Sequence, residues 1–400
     1  MESARGTDPF APFRTDDLLL LVGNNPLPNV VCARLLLRPG GRVWLLASPG
    51  TAQTAQHLKR YLECQGFAVA EPRSVDPSSP GEVYQATVEL LGAMGRDAVG
   101  VHYTGGTKVM ATHCYRGAEA WARENGRGVC FSYLDPRAQR MVFTGWPEKP
   151  EAAVDVAAFP VEVSLRDLCM LHGLQMSPAG RELPALGASA AVIARTLPKI
   201  GLKAWKNWKE AAKSSRALPA TRGELGEVKA SLRREANLED QTSLTLEALG
   251  RALGCTPGEM EAWLDGTWLE QYVLDVVERI AAQVPFASWE RGCQTKGPQF
   301  EMDVLAMRWH QLFAFSCTTA GELKACKLKL LEGRTRARQF GGDEAAFALV
   351  CVLGGEEVSQ LKGEVPRDRR LRVFGMDDLP ALDERVREWA VCEAGTPKED

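Results

Sequence analysis

Residues 102–110 read His-Tyr-Thr-Gly-Gly-Thr-Lys-Val-Met, and this stretch decides the fold of the first half of the chain. A strand-length apolar run, Asp97–Val101, precedes it, and a run with helical apolar spacing, Lys108–Glu124, follows. A Thr-Gly-Gly-Thr-Lys turn from strand into helix brings backbone N–H groups, two hydroxyls and an ammonium to the positive end of a helix dipole. That is a place where anions bind. Gly105 and Gly106 remove the Cβ atoms that would hold a ligand off the backbone. The expected ligand is a phosphate-rich small molecule. Taken alone, the turn also fits a plain strand-to-helix connection.

The flanking sequence repeats the same alternation. Asp17–Gly23 reads as a buried strand and runs into a turn dense in Asn and Pro, Asn24–Asn29, before a helix over Val30–Leu37. Arg42–Ser48 is a second strand, ending in Ser48-Pro-Gly-Thr51, and Gln53–Gln65 a helix. Phe67–Glu71 is a short strand, Pro80–Met94 a helix, and Val129–Leu134 with Arg140–Thr144 a hairpin around Asp135-Pro136. Strand and helix in alternation predict a parallel, doubly wound sheet. Ligands of such sheets lie beyond the carboxyl ends of the strands. Three polar turns, Asn24–Asn29, Ser48–Thr51 and Thr104–Lys108, are therefore expected along one rim.

From Trp146 to Pro160 the chain is rich in Pro, Ala and Glu and reads as a linker. Ser164–Leu174 has helical spacing with Ser164 as N-cap. About Pro178–Asn237 is rich in Lys and Arg. Within it, Lys203-Ala-Trp205-Lys206-Asn-Trp208-Lys209 interleaves cations with indoles. That pattern can track phosphates and stack on bases. Two tryptophans three apart also share one helix face, so a surface helix with its Trp side in the core is the first expectation. Thr256-Pro-Gly-Glu259 carries a capping box. Trp268–Ala281 is a helix, Phe300–Met307 and Leu312–Cys317 strands, Leu323–Arg338 a basic helix, and Ala345–Leu353 a buried strand. The second half is thus also α/β.

Composition sets the bounds. The 400 residues are 45% hydrophobic and 25% charged, an ordinary globular balance that suggests two or three domains. A net charge of −3 gives no global pull toward nucleic acid. No apolar run approaches the roughly 18 residues of a membrane span, and the polar start, Met1–Phe10, has no signal-peptide pattern. The 11 cysteines are scattered, form no Cys-x-x-Cys pair, and stand apart from the five histidines. A reducing cytoplasm without structural zinc is the expectation.

With these residues in view, the chain resembles a known family. Asn24–Asn29 after a first strand, followed by HYTGGTKVM, is similar to a CARF domain, the Rossmann-like sensor of CRISPR type III defence. Asn29, Thr104, Gly105, Gly106, Thr107 and Lys108 carry the similarity. The helix with Glu270, the strand FEMDVL (residues 300–305) and the strand after it resemble the restriction-endonuclease-like (PD-(D/E)XK) half of CARF-nuclease effectors. Ser164–Leu174 resembles their connecting segment. About Pro178–Gly250 lies outside the match. The resemblance implies an α/β sensor over residues 1–150, a linker and basic helical insert over 151–255, and an α/β nuclease-like domain over 256–400. It implies a cytoplasmic homodimer activated by a cyclic oligoadenylate, cyclic tetra-adenylate in particular, with no membrane partner. Asn24, Asn25, Asn29, Ser48, Thr51 and Thr104–Lys108 would line the ligand.

In that nuclease fold, a helix glutamate and a strand aspartate hold Mn or Mg. A carboxylate-x-lysine on the next strand completes the site, because residues two apart share a strand face. Glu270 and Asp303 match the first two, and Glu301 lies two before Asp303. Where Glu-Cys-Lys is expected, the chain reads Ser316-Cys317-Thr318. Neither Ser nor Thr is charged near neutral pH. Either the domain has lost catalysis, or it cuts DNA or RNA with the carboxylate displaced onto Glu301 or Glu322 and the ammonium onto Lys324 or Lys327, of which Lys327 is the expected catalytic lysine. The basic patches Lys203–Lys209 and Lys324–Arg338 are candidate nucleic-acid contacts, or else solvated faces.

Overall fold

The computed structural model describes residues 8–136, 138–146, 151–159, 161–174, 176–177, 186–240, 243–295, 301–365 and 367–392. The described residues divide into two compact units: those up to Leu174 with Gln339–Glu344, and those from Met176 to Arg338 with those from Ala345 to Cys392. The first unit therefore passes residue 150. None of the described helices is long and apolar enough to cross a membrane, and the buried Cys32, Cys114, Cys169, Cys317, Cys326 and Cys351 are free thiols.

The first unit runs β1 (Thr15–Leu21), α1 (Leu27–Leu36), β2 (Leu37–Ala47), α2 (Ala52–Cys64), β3 (Ala68–Val69), β4 (Arg73–Ser74), α3 (Pro80–Ala93), β5 (Val99–His102), α4 (Lys108–Asn125), β6 (Val129–Asp135), β7 (Arg140–Trp146), β8 (Ala152–Asp155) and α5 (Leu165–Leu171). The sheet order is β3-β2-β1-β5-β6-β7-β8, with β4 also on β2. β1 pairs parallel with both β2 and β5. Its leucines are buried, as a central parallel strand covered on both faces requires. Leu19 and Leu21 join a core with Val83, Leu91, Cys114 and Trp121 of α3 and α4. The chain winds from β1 toward β2 with α1, and from β5 toward β6 with α4. Right-handed crossovers in opposite directions put those helices on opposite faces and leave a crevice between β1 and β5.

Two local expectations are corrected. The helix α1 begins inside the Asn-Pro turn, at Leu27. Pro28 is admitted because proline suits a first helical turn, where its missing N–H costs nothing. Ala152–Asp155, read as linker from composition, pairs antiparallel with Arg140–Phe143 as an edge strand.

The second unit runs β9 (Met176–Ser177), α6 (Gly187–Ser215), α7 (Glu224–Glu235), α8 (Leu246–Leu253), α9 (Pro257–Ala262), α10 (Trp268–Ile280), β10 (Phe286–Thr295), β11 (Glu301–Arg308), β12 (Gln311–Thr318), α11 (Leu323–Gly341), β13 (Ala346–Cys351), α12 (Gly355–Gly363), β14 (Leu371–Phe374) and α13 (Leu382–Cys392). Its sheet order is β14-β13-β12-β11-β10-β9. β12, β13 and β14 are parallel, while β9 to β12 pair antiparallel. The basic insert belongs to this unit. Trp205 and Trp208 are 1% and 4% exposed and stack at 5.4 Å. Trp205 meets Trp268 of α10 edge to face at 6.3 Å, within one core that includes Val276, Phe313 and Trp389. The tryptophan side of α6 is thus core, as the helix-face spacing predicts. The first part of the insert, residues 178–185, lies outside the described residues.

Candidate functional sites

The loops after β1 and β5 meet at the crevice between those strands. Gly105 packs directly on the end of β1. A Cβ there would collide with the Leu21 carbonyl and stand 2.8 Å from the Gly23 nitrogen. Gly106 sits at φ +78°, the left-handed region that glycine enters without steric cost. The two glycines therefore serve backbone closure as well as ligand approach.

The other rim residues divide by how their polar atoms are used. Thr107 caps α4, accepting the Met110 amide at 3.2 Å and donating its hydroxyl proton to the Pro77 carbonyl at 3.1 Å. Thr104 accepts the Leu134 amide at 2.7 Å. The Ser48 and Thr51 hydroxyls lie 3.1 Å apart within a capping box. Asn25 accepts the Leu27 amide at 3.1 Å. Asn29 is fully buried and donates its amide to the Leu21 carbonyl at 3.0 Å, while its Oδ1 has no partner. Asn24 and Lys108 stay exposed. Beyond the single cap, the first amides of α4 lie outside the helix ladder. The crevice thus offers one open ammonium, a helix N-terminus and a close-packed glycine turn, the chemistry of an anion site.

The second centre lies on β11, β12 and the helices flanking them. The register Val304↔Phe315 places Asp303 opposite Ser316. Asp303 Oδ2 accepts the Ser316 hydroxyl at 3.0 Å and the Cys317 amide at 2.6 Å. Glu270, in the first turn of α10, faces the same place. Burial, then the charges of Asp303 and Glu270, hold the Cys317 thiol protonated, well above its ordinary range. Thr318 is buried and accepts the Ala320 amide at 3.2 Å.

Lys327 is not at this centre. Its ammonium pairs with Glu364 at 2.7 Å. Lys329 reaches it instead, with Nζ 4.0 Å from Asp303 Oδ2 and 3.1 Å from the Cys317 carbonyl. The reason is helical phase. Residues two apart are turned by about 200°, so 327 and 329 flank the buried stripe of Cys326, Leu330 and Ala337 on opposite sides. That stripe is visible in sequence, and the choice of Lys327 overlooked it. The side chain of Glu301 lies outside the described part.

A divalent cation fits this set poorly. Among the described residues, no three His, Cys, Asp or Glu side chains converge on a metal position. Ser316, opposite Asp303, adds a hydroxyl and no charge to this set. The Lys329 ammonium already lies between Asp303 and the Cys317 carbonyl, the two oxygens a metal would have to share.

No family model matches the sequence, and no curated protein matches it either. Solved structures do. The protein VC1899 from Vibrio cholerae aligns with a TM-score of 0.71 at 16% identity, over 95% of this chain and 99% of that one. Can2 from Sulfobacillus thermosulfidooxidans, solved with cyclic tetra-adenylate, aligns at 0.68 and 15% identity, over 96% and 99%. This chain has the fold of Can2. A type III CRISPR defence DNA nuclease activated by cyclic oligoadenylate aligns at 0.51 and 17% identity, over 86% of this chain and 46% of that chain. The coverage of Can2 is nearly end to end, so the helical insert as well as both sheets belongs to the shared architecture.

Proposed function

We propose that the chain is a CRISPR type III ancillary effector that senses a cyclic oligoadenylate, cyclic tetra-adenylate by preference, and acts as a homodimer. The second unit holds nucleic acid without metal-dependent cutting. The observation that carries the sensor reading is the Thr104–Lys108 turn. It lies in the crevice between β1 and β5, with an exposed Lys108 and the N-terminus of the 18-residue α4 behind it, in a chain folded like a protein that binds this ligand. A ring of repeating phosphates suits two symmetric copies of one anion site. Calorimetry with cyclic tri-, tetra- and hexa-adenylate tests it. Tight binding of the tetramer at one ring per two chains is expected, and no heat with any ring refutes it.

Loss of catalysis is supported by Ser316 and Thr318 in the carboxylate-x-lysine positions and by the ammonium between the metal-facing oxygens. One observation favours a second reading, cleavage of DNA or RNA with a displaced lysine. Lys329 stands 4.0 Å from Asp303, about where a charge-stabilising cation belongs. Incubation with cyclic tetra-adenylate, Mn or Mg and plasmid or single-stranded substrates decides between them. Cutting that disappears in Asp303→Ala establishes the second reading, and intact substrate the first.

A further inference from the structure

We infer that Lys206, on the helical insert, and Lys329, on α11, form a two-cation cradle for the phosphodiester backbone of a nucleic acid along the loop between β12 and α11. This rests on the proposal that the second unit holds nucleic acid. It names the residues that do so and gives the insert a function.

The cations of α6 fall into two sets. Lys209 and Lys213 hold Asp265 at 3.0 and 2.8 Å, and Lys199 pairs with Glu224 at 2.9 Å. These are neutralised. Arg195, Lys203 and Lys206 are exposed and, among the described residues, have no carboxylate partner. Of these, Lys206 has a fixed address, because a Cβ on Gly321 would stand 3.0 Å from its Nζ. Gly321 belongs to the loop that leaves β12. The same loop is tied down by Thr319, whose hydroxyl donates to the Asp265 carbonyl at 2.6 Å. Asp265 lies in the turn Trp263–Thr267 that leads into α10 and Glu270. Lys206 is therefore set against the loop that leaves β12, the strand of Ser316 and Cys317, and that loop is held in turn by the segment leading into α10.

Lys329 supplies the second cation, four residues back along the loop at the Cys317 carbonyl. Four residues span at most about 14 Å, over which one strand of a duplex carries about four phosphates. Three other cations of α11 face carboxylates: Lys327 with Glu364, Arg334 with Asp368 and Arg336 with Glu332, while Lys324, in the first turn, is exposed. Glu322 is the exposed acid in the loop itself. Asp303 partly offsets the charge of Lys329, so Lys206 is the stronger phosphate ligand. With an ammonium between Asp303 and the Cys317 carbonyl, holding the backbone requires no divalent ion.

The test is fluorescence anisotropy of a labelled oligonucleotide, single-stranded and duplex, with the full chain, cyclic tetra-adenylate and EDTA across a salt series. Wild type is expected to bind in EDTA. Lys206→Ala should weaken binding several-fold at low salt and lower the salt slope by about one. Lys206→Arg should restore both, and Lys362→Ala, an equal charge loss elsewhere, should change neither. Wild-type affinity and slope in Lys206→Ala overturn the cradle while leaving the nucleic-acid reading intact. So does binding that is lost in EDTA and restored by Mn. A wild type that binds no oligonucleotide overturns both.

Discussion

Replacing Gly105 by alanine separates two accounts of the same turn. If the glycine serves only ligand approach, the variant folds normally and loses affinity alone. The backbone geometry requires more. The added methyl would overlap the Leu21 carbonyl and lie 2.8 Å from the Gly23 nitrogen and 3.1 Å from the Leu21 carbonyl carbon. Unstrained contacts sit near 3.5–4.0 Å. All three atoms are backbone at the end of the central strand β1, so none can rotate away. Overpacking of this kind costs about 1–3 kcal/mol. For a unit of this size each kcal/mol moves the midpoint by about 2–4 °C, giving a drop of about 2–12 °C without any ligand. Differential scanning calorimetry of the ligand-free protein reads this directly, with Gly81→Ala as a control at a site with nothing within 4 Å. A Gly105→Ala midpoint within a degree of wild type would refute the packing argument and return the glycine to the ligand alone.

Three further outcomes are expected. Lys108→Ala removes the open ammonium of the turn and should weaken cyclic tetra-adenylate roughly ten- to hundredfold by calorimetry; unchanged affinity would mean that the turn only connects strand to helix. Ser316→Glu with Thr318→Lys restores the carboxylate-x-lysine pattern beside Asp303 and should raise Mn-dependent nicking of plasmid above wild type; equal rates would show that these two positions are not what silences the centre. Acid should destabilise the fold through its buried histidines. Burial holds His102 down to about 3 and His310 down to about 4 from an ordinary 6.5. As pH falls below 6.5 the unfolded chain takes up protons that the folded chain refuses, so stability present above 6.5 is lost toward 4, at up to about 1.4 kcal/mol per pH unit for each histidine. Urea midpoints should fall from pH 7 to pH 5, and less steeply in His102→Gln; a midpoint independent of pH would contradict the burial.

Much of the architecture was legible because it follows from periodicity. The run Asp17–Gly23 reads as a buried strand, the spacing of Trp205 and Trp208 places both in the core, and the Ser164 and Thr256 caps sit where their side chains predict. What the sequence hid depends on rotation or on partners distant in the chain. Lys327 and Lys329 are equivalent as letters and differ only in helical phase. Ser48 and Thr51 look like open hydroxyls until the turn closes and pairs them. Ala152–Asp155 has linker composition, and only the neighbouring β7 makes it a strand. The reach of Lys206 to Gly321 joins residues more than a hundred apart and left no local signature beyond an unpaired charge.

The edge of Trp268 against the stacked pair of Trp205 and Trp208 bears on how the protein can be divided and how it came to vary. A fragment begun at Thr256, where sequence likeness to nucleases starts, would carry Trp268 and the underside of the sheet open to water and should aggregate. A fragment begun near Leu186 keeps its apolar roof. The same roof makes the helical segment unlike a removable decoration. Any lineage that shed it would have to rebuild the surface of α10 at once, so changes in this protein are easier to accommodate on the lysine side of α6 than on its tryptophan side.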